Sequence, residues 1–356
     1  MNKYLSDKLK SISFILMVMV VFLHSYNVGI NFNTEGVQTD QGVNWFLQNI
    51  ISKGFTIIAV PLFFIISGYL LFLNLKNGSL KTFIPKFKKR IRTLVVPYLF
   101  WSLYGLLFIF ILQAIPISRP YFNNELIIEH SFFKLLKAIF INPVPYQLWF
   151  IRDLIILILL SPFLYRIIKV LKPLSLILLL STWFFEFNFV IFSNEALFFF
   201  TVGLYIAINK ISLYQPILKT QYVLLILSWI TIVLVKTALI QFQFDNKWII
   251  AGLNKLSILI GVLSLWGYYD HKFKNTDISK SKIFPIFQYS FFLYVFHEPL
   301  LSIFRKGFQN ILGASEISSI SAYFLAPIIT ITISITIAYF LKKNTSKLYS
   351  LITGGR

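Results

Sequence analysis

Apolar runs about twenty residues long, separated by shorter polar stretches, recur along the whole chain and leave few folds open to it. Wound as an α-helix at about 1.5 Å per residue, such a run spans the roughly 30 Å hydrocarbon core of a bilayer. Transmembrane strands would be about half as long and would alternate in polarity. No such alternation is visible. Ten spans can be drawn, at roughly residues 11–30, 51–73, 94–114, 148–168, 173–192, 195–209, 221–240, 248–268, 283–304 and 320–341. The expected fold class is all-α, a polytopic transmembrane helical bundle of about ten spans. Residues 1–356 read as one integral membrane domain with no appended soluble domain. No internal repeat is visible, which argues against a transporter built of inverted halves.

Composition supports this reading and narrows the chemistry. Only 13% of residues are charged and the mean hydropathy is +0.75, whereas soluble domains carry about twice that charge. The chain has no cysteine, which excludes disulfides, thiolate metal sites and acyl relays through a thiol. No metal-ligand set is assigned. The basic start, MNKYLSDKLK, is not followed by a small-residue cleavage site, so the first span is expected to be retained as a helix.

A net charge of +20 would suit a nucleic-acid partner, but the positive residues crowd alternate loops. Twenty-three Lys and Arg fall on the side that includes both terminal arms and residues 74–93, and six fall in the opposite loops. The positive-inside rule explains that asymmetry and places both termini in the cytoplasm. The expected partner of most of these charges is therefore the lipid bilayer, with no nucleic acid. The most basic stretch, KNGSLKTFIPKFKKRIRT, reads as a loop that anchors topology and grips anionic lipid. Arg90 and Arg92 abut the third span, where they could hold a phosphate-rich ligand bidentately.

Ionisable residues inside spans are costly and mark functional sites. His24 interrupts an apolar stretch that runs from Phe14 to Leu23, and His297 recurs in a similar setting. Helical rise puts both about 20 Å from the cytoplasmic face, with Glu186 and Lys236 at similar depth. Arg152, Asp153 and Lys255 sit just inside the outer ends of their spans. This segregation to the outer half predicts one shared, water-accessible cavity opening outward, with opposite charges paired across helices. The plain alternative is snorkelling for the cations and an interhelical hydrogen bond for His297. A neutral imidazole at His24 suits a general base that deprotonates an alcohol attacking a thioester. Asp153, Glu186 or Glu298 could orient it.

In order and spacing, MVMVVFLHSYN, PLFFIISGYLLF, FKKRIRTLVVPYLFW, LWFIRDL and SFFLYVFHEPL resemble the acyltransferase-3 family of bacterial integral membrane acyltransferases. The similarity covers most of the chain. It implies acyl-CoA as a cytoplasmic co-substrate, not a permanently bound cofactor, and a first-helix histidine essential to transfer, matched by His24. Acetyl is the acyl group implied most often, succinyl another. The resemblance extends acyl-CoA binding to Arg90 and Arg92, to Lys89, and to Ser67 and Gly68 of the SGY element. The acceptor it implies is a hydroxyl of a cell-surface or lipid-linked glycan, with Arg152, Asp153, Glu186, His297 and Glu298 as polar groups of the acceptor cavity. It also implies the bacterial cytoplasmic (inner) membrane. Members often carry an Arg about eleven residues before the histidine, where this chain has Ser13; Lys10 is the nearest basic residue. Without an appended domain, the chain is expected to act directly or through a separate extracytoplasmic partner. A flippase or exporter of lipid-linked saccharides is the alternative from another class. A polysaccharide polymerase is a weaker third, because the longest outer loop, near residues 115–147, is modest.

Overall fold

The computed structural model describes residues 2–28, 42–75, 77–122, 125–187, 192–214, 219–313 and 315–356. The far ends of the first and fifth expected spans, at residues 29–30 and 188–191, and Lys76 of the basic stretch lie outside these. Among the described residues every regular element is helical. Helix α1 (Lys3–His24) starts where the Asn2 side chain accepts from the backbone N–H of Leu5. Helix α2 (Val43–Ile50) passes through a π-turn and a 3₁₀ turn into α3 (Ala59–Phe72), making one continuous element of 30 residues. Helix α4 (Leu80–Arg90) likewise continues through a π-turn into α5 (Val96–Ala114). The basic stretch expected to be a loop is therefore largely helical. Its Lys and Arg are good helix formers, and Phe83 supplies a buried anchor.

The short helix α6 (Phe132–Phe140) lies in the stretch before α7 (Trp149–Leu171). A turn at Lys172, with φ of 49°, then reverses the chain into α8 (Pro173–Phe184). Next come α9 (Asn194–Ile208), capped by Ser193, and two long helices, α10 (Lys219–Gln241) and α11 (Lys247–Phe273). Helix α12 (Ser290–Leu312) breaks its helical geometry at Glu298, just before Pro299, since the residue preceding a proline is steered out of the helical region. Helices α13 (Glu316–Asn344) and α14 (Ser346–Thr353) follow.

Six of the described elements are long and apolar enough to cross a membrane. Their outer faces carry Leu107, Ile111, Leu159, Phe163, Leu224 and Leu263, all more than half exposed. In water such a surface would aggregate; against lipid tails it is solvated. The molecule is a multi-pass helical membrane protein.

Two contacts fix the helices that matter for the site. Helices α3 and α9 meet so closely that a Cβ on Gly68 would lie 2.1 Å from the carbonyl oxygen of Phe200, and one on Gly203 2.0 Å from that of Ile65. Backbone cannot yield as a side chain would. Gly203→Leu is therefore expected to cost about 3 kcal/mol, the upper end of ordinary overpacking. Thermal unfolding of the solubilised protein measures this, and an unchanged midpoint would contradict it. At the other contact, Lys8 Nζ stands 2.7 Å from Asp270 Oδ2, with both side chains almost fully buried. The same ammonium lies 3.8 Å from the Trp266 ring centroid, and Tyr4 Oη donates to Asp270 Oδ1 at 2.6 Å. This ties the start of α1 to the end of α11.

Candidate active site

His24 closes α1 and His297 sits directly before the break in α12, so the two imidazoles arrive from helices far apart in sequence. His24 Nδ1 and His297 Nε2 are 3.1 Å apart. His297 is fully buried, and its Nδ1 faces the carbonyl oxygens of Tyr294 at 2.7 Å and Leu293 at 3.1 Å. Carbonyls only accept, so the proton belongs on His297 Nδ1. With both rings neutral, His297 Nε2 is then an acceptor and His24 Nδ1 must carry the hydrogen it receives. The lone pair of His24 is left on Nε2. Two backbone carbonyls thus set the tautomer of a residue on another helix.

The surroundings hold this pair. Pro299 has no N–H for the carbonyl of Val295; Gln147 Nε2 donates there at 3.5 Å and to the carbonyl of Glu298 at 3.2 Å. Arg305 Nη1 donates to the carbonyls of His24 at 2.9 Å and Tyr26 at 3.0 Å, satisfying acceptors that the end of α1 leaves open. The Tyr146 ring packs 5.0 Å from that of His24, and its hydroxyl donates to Glu298 Oε1 at 3.2 Å.

A cavity of about 450 Å³ runs beside the pair. Ser13, Met17, Val20 and His24 line it from α1, which spreads it over about 16 Å of helix. Ile57, Val60, Phe63 and Ser67 line the opposite wall, and Phe150, Leu154, Phe291 and Tyr294 complete most of the apolar surface. Polar groups are few: besides His24 and three serines (Ser13, Ser67 and Ser290), they include Gln147, Glu195, Asn254 and Arg356. Such a mostly apolar pocket with a few convergent polar groups is the usual form of a small-molecule site.

The residues singled out in sequence divide. His24, His297 and Glu298 come together, Glu298 reaching His24 through Tyr146. Ser67 lines the cavity, whereas Gly68 turns away to pack on Phe200. Arg90 is half-buried, with Lys89 and Arg92 exposed beside it. Arg152 and Asp153 pair with one another at 2.9 Å, and Asp153 also accepts from the backbone of Ser193. Glu186 pairs with Lys255 at 2.8 Å, while Lys236 bonds Asn254 at 2.8 Å and the carbonyl of Lys53. None of these five charges lines the cavity beside His24: Arg152 and Asp153 pair along one helix, while Glu186 and Lys255 pair across elements as expected. None of the three carboxylates considered as orienting groups touches His24; an imidazole does. Lys10 lies over Phe284, away from the pair.

Sequence reasoning passed over Tyr146, Gln147, Glu195, Asn254, Arg305 and Arg356. Arg305 and Arg356 were counted only as loop and tail charges, and the polar residues at helix starts look like ordinary caps. Arg356 is the notable one. Its guanidinium lines the cavity, and the charge of Arg90 lies near it.

A family model described as an acyltransferase domain matches residues 11–339. The chain belongs to the acyltransferase-3 family. It is thus an acyltransferase of the kind that transfers groups other than aminoacyl groups, as the five sequence motifs led us to expect. It is also similar to the succinoglycan biosynthesis protein ExoH of Rhizobium meliloti (strain 1021), at 23% identity over 361 residues covering all of this chain and 94% of that protein. No solved structure matches the chain.

Proposed function

We propose that this family member moves an acyl group, acetyl being the simplest, from cytoplasmic acyl-CoA to a hydroxyl of a cell-surface or lipid-linked glycan, across the bacterial inner membrane. One observation carries the chemistry: an imidazole whose free lone pair is set by its neighbour, at one end of a membrane cavity. His24 Nε2 takes the proton of the sugar hydroxyl as that oxygen bonds to the thioester carbonyl carbon. The tetrahedral intermediate then collapses with cleavage of the C–S bond, and the proton passes to the departing thiolate. A low-dielectric surround keeps the base unsolvated and reactive.

The direction of transfer rests on charge. The basic faces of α4 and the chain ends mark the cytoplasmic side by the positive-inside rule, and His24 lies at the far end of α1 from them. The donor would extend its pantetheine arm along the cavity from Arg90 and Arg92, past Ser67, toward His24. The glycan acceptor draws on the relative named for succinoglycan biosynthesis. Membranes carrying the protein, given labelled acetyl-CoA, are expected to place base-labile label in the glycan fraction. Movement of lipid-linked saccharide between leaflets, with no label from any acyl-CoA, would instead favour an exporter.

His297 is a positioning residue in this scheme, and its role is separable from packing. His297→Leu removes the acceptor for His24 Nδ1–H, so transfer is expected to fall by about 10²-fold, the lower range for a displaced general base. His297→Gln keeps an acceptor oxygen and is expected to recover most of that loss. Equal activity in the two variants would refute the tautomer argument.

A further inference from the structure

The cavity beside His24 is lined by a cation, Arg356, that makes no ion pair among the described residues. Arg356 reaches it through two consecutive left-handed glycines, Gly354 at φ 69° and Gly355 at φ 77°. Only glycine adopts such a turn without strain. Gly354 also has no room for a side chain, since a Cβ there would lie 2.5 Å from the carbonyl oxygen of Thr93. The preceding helix α14 is fastened by Trp101 Nε1 donating to the carbonyl of Ile352 at 2.9 Å, and by Tyr349 stacking on Phe292. The arrangement is therefore built, with the turn and its anchor both aiming the side chain inward.

Once there, the guanidinium lies 3.9 Å from the centroid of the Phe291 ring. Among the described residues no carboxylate forms an ion pair with it. Glu195, the acidic residue lining the same cavity, is served by Trp183 and Lys255. The nearby charge of Arg90 adds to the positive potential instead of cancelling it. Arg356 lines the cavity yet keeps accessible surface, so an entering anion can reach its guanidinium without first displacing an ion-pair partner. The planar fork of Arg suits an oxyanion held by two parallel hydrogen bonds.

We propose that Arg356 receives an oxyanion of the acyl donor inside the cavity. This rests on the acyl-CoA reading above. Two parts of a donor carry that chemistry: the phosphates of CoA, and a carboxylate at the far end of a dicarboxylic acyl chain. Phe291 precedes His297 by six residues on one helix, about 9 Å of rise, so the anion sits within a short chain's reach of the reacting centre.

Binding of CoA, acetyl-CoA and succinyl-CoA to the full-length protein in lipid nanodiscs, by calorimetry, tests this without an acceptor. Arg356→Ala is expected to weaken binding by at least tenfold, with Arg356→Lys intermediate because it keeps the charge and loses the fork. A loss shared by all three probes assigns the phosphates; a loss confined to succinyl-CoA assigns an acyl carboxylate. Unchanged affinity for all three in Arg356→Ala overturns the proposal while leaving the donor reading intact. A wild-type protein that binds none of the three overturns the donor reading itself. Arg356→Gln, similar in length and uncharged, serves in place of alanine if the latter fails to fold.

Discussion

His24→Ala is expected to lower acyl transfer by about 10²- to 10⁴-fold, the range that a positioned general base supplies. The variant should insert and fold normally, because the contacts that hold the end of α1 do not use the imidazole. Arg305 bonds the backbone carbonyls of residues 24 and 26, and Ser25 Oγ donates to the carbonyl of Tyr323 at 2.9 Å. What disappears is the lone pair on Nε2 and the donor to His297. Labelled acetyl-CoA with membranes of wild type and variant measures the loss, and size-exclusion chromatography of the solubilised protein checks the fold. Full activity in His24→Ala would remove the histidine from the mechanism.

The second large effect concerns stability. Asp270→Leu leaves the Lys8 ammonium buried with no counter-charge, and breaking a buried pair in this way typically costs about 3–5 kcal/mol. The double variant Lys8→Met with Asp270→Leu removes both charges and is expected to regain most of that, since apolar replacements of buried pairs are often neutral or better. Thermal unfolding of the wild type, Asp270→Leu, Lys8→Met and the double variant forms a cycle. A double variant as unstable as the single one would mean that the pair itself, and not the orphaned charge, carries the stability. Transfer should track the damage, because α1 is both the tethered helix and the one that bears His24.

Much of this architecture is legible in the sequence, and the boundary of what is legible has physical causes. Apolar runs reveal helices because each must satisfy its own backbone in lipid. Helical rise also set His24 and His297 at one depth, and they do meet. Depth, however, says nothing about which helices are neighbours. That is why three carboxylates were weighed as partners of His24 and the imidazole was not. Of the charges expected in one outer cavity, Glu186 and Lys255 do pair across elements, whereas Arg152 and Asp153, adjacent in sequence, pair with each other and do not line the cavity beside His24. The basic stretch was read as a loop because charge was weighed above helix propensity; Leu80–Arg90 exposes Lys81, Lys88 and Lys89, turns Lys86 onto the carbonyls of Leu71 and Leu73, and buries Phe83. Ser13 does line the cavity, at the position where the family resemblance led us to expect an arginine. The arginine in that cavity is Arg356, and no local pattern near Ser13 could have announced it.

The route by which Arg356 reaches the cavity bears on how the protein matures in the cell. The cavity beside His24 takes wall residues from Ser13 on α1 and from Arg356, so no contiguous part of the chain contains it. At synthesis rates of about 5–20 residues per second, roughly 17 to 70 s separate the appearance of those two residues. For most of that interval α1 has been made and Arg356 has not. On the proposed donor reading, a half-made chain has His24 without the arginine of its pocket, which comes into place with the Gly354–Gly355 turn packed against Thr93.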